Sequence, residues 1–253
     1  MSSPNSANIQ IEAPKPSFVD LRVWGEAHRA SFGSGKGPAH RTFLSSRVPL
    51  LTSCGPGPID LIVLDDSCGQ VSSMPTDEFL IVTGGALQIA SGATVYVLND
   101  GDAAVLPHGA AFAWIADQGT TAITMRYAAS RPLGSVIVPL QKNPLLKPSA
   151  KPSADILIGP SPECRSFNDY QANDGKFVCG TWDSTPYERR AFIYAHHEIM
   201  HILDGKVTLT DTESGRSQTF EKDDMLFIEC RSQCAWASDT NVTKAFAISR
   251  VGA

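Results

Sequence analysis

The sequence predicts an all-β protein built from two copies of one barrel-like unit, and three observations carry that reading. Short strand candidates recur at near-regular spacing between Gly, Asn and Asp turn signals, the pattern of a sandwich or barrel. The two halves of the chain align with one another, and duplication of a β unit of this size is a strong architectural signal. Between the halves lie seven prolines, Pro132, Pro139, Pro144, Pro148, Pro152, Pro160 and Pro162. That spacing forbids a long helix or a central strand and reads as an extended connector.

In chain order, residues 1–17 are rich in Ser, Pro and Asn and are expected to form a flexible arm. Residues 18–24 alternate and predict an arm strand packed on the body or on a partner subunit. Residues 31–38 are a Gly-rich loop, but G-x-x-x-x-G-K-[ST] is not satisfied and no strand-to-helix context surrounds it, so no phosphate loop is expected. Residues 59–64, 79–83, 94–98 and 121–127 are the first half's strand candidates. The boundaries that follow are a first barrel over 18–130, a linker over 131–165 and a second barrel over 166–253.

The repeat is specific at the residue level. Glu78 with Gly85 corresponds to Glu198 with Gly205, and Gly101-Asp102 to Asp223-Asp224. Phe112, Trp114 and Asp117 correspond to Cys234, Trp236 and Asp239.

Three of the six histidines, His196, His197 and His201, fall within six positions. Residues 197–201 match H-E-x-x-H, which on a helix would put two imidazoles about 6 Å apart on one zinc. The context opposes a helix. Asp204-Gly205 is a hairpin-type turn just beyond, and residues 206–210 alternate. In a strand, His197 and His201 stand roughly 13 Å apart and Glu198 points to the opposite face. Glu198, Met200 and Ile202 should then face the interior, and His201 should face away.

Composition limits the function classes. A chain of 253 residues with 42% hydrophobic and 19% charged residues suits one large or two small globular domains. A net charge of -5 gives no reason to expect nucleic acid or an anionic membrane as partner. No apolar run approaches the roughly 18 to 20 residues that span a bilayer, and the first residues lack the basic and apolar regions of a secretory signal. A cytoplasmic protein is expected. Six cysteines without a C-x-x-C pair predict free thiols rather than a structural zinc site.

Glu198 followed by Gly205, then residues 223–229 running on to Trp236, with residues 180–186 upstream, resembles the cupin superfamily. Within it, this pattern is similar to the (S)-ureidoglycine aminohydrolase and ethanolamine-utilisation cupins over about the last 80 residues. The resemblance implies a bicupin, two double-stranded β-helix (jelly-roll-like) barrels in one chain, and pairing as a homodimer or, since one chain already pairs two barrels, a monomer. It also implies a metal held by histidines and a carboxylate, ligands suited to manganese, iron, nickel or zinc. The first half departs from that pattern, with Ser72, Met74 and Phe112 at ligand positions and His108 expected to face solvent. In the second half, Phe192 and Tyr194 take upstream ligand positions and Cys234 replaces the second-motif histidine.

The candidate site is therefore in the second barrel. His196, His197, Glu198 and Cys234 are the candidate metal ligands, a thiolate being a good zinc or iron ligand. Glu198, Tyr194 and His196 are the candidate catalytic residues, as base, substrate-positioning hydroxyl and acid–base partner. Arg189, Arg190 and Arg231 are expected at the barrel mouth, able to meet a carboxylate-bearing ligand. The reading is a small-molecule enzyme, metal-dependent or metal-free, acting on a small polar and nitrogen-containing metabolite. The alternatives are a metal-free binding or sensing barrel walled by Trp182, Phe192, Tyr194 and Trp236, and a protein-binding scaffold.

Overall fold

The computed structural model describes residues 17–29, 42–53, 55–132, 134 and 136–250. Residues 1–16 of the expected arm, the loop at 31–38 and Cys54 lie outside the described residues. The described residues open with β1 (Phe18–Asp20) and α1 (Leu21–Arg29). The first barrel follows: β2 (Arg47–Thr52), β3 (Gly55–Val63), β4 (Ser67–Val71), β5 (Asp77–Gly84), β6 (Ala86–Ser91), β7 (Thr94–Asn99), β8 (Ala103–Leu106), β9 (Phe112–Ala116) and β10 (Thr121–Tyr127). Three two-residue strands lie in the Pro-rich stretch: β11 (Val138–Pro139), β12 (Lys147–Pro148) and β13 (Leu157–Ile158). The second barrel is β14 (Cys164–Gln171), β15 (Phe177–Ser184), β16 (Tyr187–Ile193), β17 (His197–Asp204), β18 (Lys206–Asp211), β19 (Ser217–Glu221), β20 (Met225–Ile228), β21 (Gln233–Ser238) and β22 (Val242–Ser249).

The strand order proves the duplication. The first barrel has sheets β11-β8-β5-β10-β3-β2 and β4-β9-β6-β7. The second repeats them as β1-β20-β17-β22-β15-β14-β12 and β13-β16-β21-β18-β19. The protein is a tandem cupin, all-β apart from one described helix.

The edge strands are exchanged. β1, which precedes the first barrel, pairs with β20 of the second through Phe18↔Ile228 and Asp20↔Leu226. β11, which precedes the second barrel, pairs with β8 of the first through Val138↔Val105. Each barrel thus has its open edge covered by the segment leading into the other, which removes two unpaired ladders.

Residues 18–24 do not form one strand, as their alternation had suggested. Asp20 Oδ1 accepts from Val23 N at 3.1 Å, an N-cap geometry that ends the strand and starts α1 at Leu21. Leu21 is buried in the contact between the barrels.

Among the described residues, three cores hold the molecule. The two large sheets pack face to face, with Phe79, Ile81, Ile123 and Met125 of the first against Phe177, Cys179, Ile199 and Phe227 of the second. The first barrel encloses Leu80, Val82, Ile89, Phe112 and Trp114, and the second encloses Met200, Ile202, Leu209, Phe220 and Trp236. β5 and β17 bury both faces, which is why they read as nearly continuous apolar runs. The turn after β17 requires Gly205, whose φ is +77° and where a Cβ would run into the Asn241 carbonyl.

Among the described residues no helix is long and apolar enough to cross a membrane.

Candidate functional site

The H-E-x-x-H run lies in β17, so its residues alternate between two environments. Glu198, Met200 and Ile202 face the second barrel's interior; Ile199 lies in the core between the barrels. His201 shares that outer face and is 3% exposed, against Gly101 of the first barrel. Burial and the nearby Arg22 push its imidazole down to about 4, and neither ring nitrogen has a partner.

Inside the barrel, Glu198 is 5% exposed and fully paired. Lys244 Nζ donates to Glu198 Oε1 at 2.8 Å, and His196 Nε2 lies 3.2 Å from Oε2. Lys244 stands opposite Ile202 in the β17–β22 ladder, so its stem runs back along the barrel wall. The same Nζ also donates to Met200 Sδ at 3.2 Å. Burial opposes the charge on Glu198, but the Lys244 ammonium and His196 outweigh it and hold the carboxyl down at about 2. The ammonium also lies 5.0 Å from the Trp182 ring centre and 5.5 Å from that of Trp236, within cation–π range.

A second cation enters from β16. Its ladder with β21 is bulged between Arg189 and Phe192, which stand opposite Trp236 and Cys234. The extra residue brings both side chains to the inner face, although three positions apart they would ordinarily diverge. Arg189 was expected at the mouth, yet it is 5% exposed. Its Nη1 donates to Cys234 O at 3.1 Å and its Nη2 to Tyr194 Oη at 2.5 Å. The guanidinium lies over Phe192 at 4.4 Å, with the Tyr194 and Trp236 rings at 5.5 and 5.8 Å. Arg190 and Arg231 are exposed.

The residues singled out in the sequence are therefore only partly brought together. His196, Glu198 and Tyr194 share the interior, with the Tyr194 and His196 ring centres 5.7 Å apart. His197 faces the other way: its Nδ1 accepts from Cys230 N at 3.1 Å, and its ring stacks on Phe227 in the core between the barrels. Cys234 is buried beside Tyr194, and burial pushes its thiol up to about 11. Without a metal, burial therefore favours the neutral thiol. No group of three or more His, Cys, Asp and Glu side chains able to hold a metal occurs among the described residues. Lys244 was missed in the sequence; its one signal was a lysine amid the apolar run of β22.

The first barrel makes a parallel arrangement with other residues. Arg47 forks Glu78 at 2.8 and 2.9 Å and reaches Asp60 at 3.4 Å, while Arg126 meets Asp60 at 2.7 Å. Burial pushes Glu78 up against the opposing pull of Arg47. Met74 and Phe112 are buried, and His108 is half-buried, its Nδ1 3.0 Å from Ser130 O, rather than free in solvent.

Comparisons with known proteins agree with this architecture. Residues 171–246 match the EutQ-like cupin domain. A protein of unknown function of the DUF861 family, from Pseudomonas syringae pv. tomato str. DC3000, is 30% identical. The match covers 86% of this chain and 92% of that one, with a TM-score of 0.75. The salicylate 1,2-dioxygenase of Pseudaminobacter salicylatoxidans shares the fold at 10% identity, over 97% and 88% of the two chains, with a TM-score of 0.58. A Cupin 2 conserved barrel domain protein from Leptotrichia buccalis shares it at 12% identity, over 95% and 99%, with a TM-score of 0.50. No curated protein matches the chain. With a relative of that identity aligned over nearly its whole length, the chain belongs to the DUF861 family of the cupin superfamily.

Proposed function

We propose that the second barrel is a metal-free site that binds a small polar metabolite. The observation that carries this reading is Lys244 Nζ at 2.8 Å from Glu198 Oε1. The ammonium supplies the positive charge that the carboxylate would otherwise offer to an ion, and a divalent cation there would be repelled by it. The remaining donors support the same reading, since His197 faces away and Tyr194 is bound to Arg189. Two histidines and a carboxylate are not assembled, so the donor set does not fit the metal centre that the cupin resemblance implies.

The arrangement also makes Glu198 a poor general base. A carboxylate held at about 2 by an ion pair accepts a proton weakly near neutrality. What the barrel offers instead is recognition: the polar groups of Lys244, Glu198 and His196 beside the rings of Trp182, Phe192, Tyr194 and Trp236. Convergent polar groups in an aromatic-lined enclosure are the usual make-up of a small-molecule site.

Ligand-observed NMR with a library of small polar fragments, on protein stripped with chelator, tests the reading. Saturable binding without added metal, lost in Trp182→Ala and Lys244→Met, is expected. Binding that requires added manganese, iron, nickel or zinc would overturn it.

A further inference from the structure

The duplicated fold supplies an internal control for what the second barrel has gained. Arg189 faces Trp236 in the β16–β21 ladder. At the same rung of the first barrel, Gly69 faces Trp114, and a Cβ there would already press on the indole at 3.2 Å. Lys244 faces Ile202, and at the matching rung of the first barrel Ala122 faces Val82. A barrel of this design therefore closes without either cation.

The charges in the two interiors also differ. In the first, Arg47 and Arg126 are matched by Glu78 and Asp60. In the second, Lys244 takes Glu198, while Arg189 has no carboxylate partner among the described residues, only the phenols of Tyr194 and Tyr187, a carbonyl and three rings. Asp211, another buried carboxylate of that barrel, is already engaged by the backbone N–H groups of Ser17, Glu213 and Ser214. A buried guanidinium without a counter-charge is costly. Trp236 lies between the two cations, is 2% exposed, and its Nε1–H has no acceptor, as is also true of Trp114 in the first barrel. What sets the second interior apart is therefore its two cations against one ion-paired carboxylate.

Resting on the metal-free binding reading above, we infer that the ligand is an anion, a small carboxylate with a flat apolar body. Its oxygens take donors from Arg189, Lys244 and the Trp236 indole, and its body lies among Trp182, Phe192 and Tyr194. Arginine suits the bidentate geometry of a carboxylate, and the rings suit a planar body.

The test compares benzoate, benzamide and benzylamine, which share a ring and differ in charge, by titration followed through ligand-observed NMR. Benzoate is expected to bind tightest. Arg189→Met should weaken benzoate by on the order of tenfold to a hundredfold. Glu198→Gln removes the competing carboxylate and should tighten it severalfold, a gain that a purely structural role for these cations would not give, and one that stands even if Arg189→Met fails to fold. Benzamide or benzylamine binding as well as benzoate, or benzoate unmoved by Glu198→Gln, would overturn the anion and leave the binding site standing. Failure of all three probes, together with failure of the fragment library, would overturn the binding site itself.

Discussion

Lys244 and Glu198 form a buried pair whose members depend on each other. Removing only the lysine strands a carboxylate in a barrel lined with rings, so Lys244→Met should cost about 3 to 5 kcal/mol in urea unfolding. The double change Lys244→Met with Glu198→Gln should recover much of that loss, because no charge is then left unpaired. Equal losses in the single and double variants would mean that packing of the lysine stem, not charge, is what matters. His201 makes a second prediction. Its folded-state value lies below the ordinary one, at about 4 rather than 6.5, so the unfolded chain binds the extra proton first. Stability from this residue is present above pH 6.5 and lost as pH falls from 6.5 towards 4. Arg22, Asp100, Asp223 and Asp224 surround the ring, and none offers either nitrogen a hydrogen bond. In His201→Gln the fall in stability over that window, measured by urea midpoints, should be visibly shallower; an unchanged slope would assign it to other groups. The alternation of residues 197–202 made Glu198 and His201 legible in sequence. Lys244 and Arg189 were not, because their partners are distant in the chain and only the closed barrel brings them together.

At the scale of elements, turn chemistry was the most readable signal. Gly85 and Gly205 both adopt positive φ in the hairpin turns after β5 and β17, and the repeat marked both. Gly205→Ala should lower the stability by more than the roughly 1 kcal/mol of an ordinary helix or strand glycine, since the added Cβ also meets the Asn241 carbonyl. A thermal-melt shift within error of wild type would remove the claim that this turn requires Gly205. The bulge in β16 was invisible to pattern reading. With Phe192 facing inward, alternation counted back along the strand places Arg189 outward, and the single inserted residue turns it in. The same limit explains α1, where one aspartate cap converts an alternating run into a helix after three residues.

The whole molecule is held by more than its linker. β1 and β11 exchange places, the two large sheets share one core, and Glu229 accepts from Ser53 N at 3.1 Å across the barrel boundary. Phe18, fully buried in the second barrel although it precedes the first, makes that dependence testable. Phe18→Ala should cost about 3 to 5 kcal/mol and should destabilise both barrels in one transition, read by calorimetry. Two separate transitions would show that the barrels fold independently. Duplication was legible because it repeats a pattern over many residues; the exchange of arms was not, because the partners, Phe18 with Ile228 and Val138 with Val105, are not sequence neighbours and leave no local trace.

The most direct measurement is elemental analysis of the purified, untagged protein after incubation with manganese, iron, nickel and zinc, alongside Glu198→Gln. If Lys244 holds Glu198 as the structure places it, bound metal should stay far below one equivalent in both proteins. Near one equivalent in the wild type, lost in Glu198→Gln, would contradict the metal-free site.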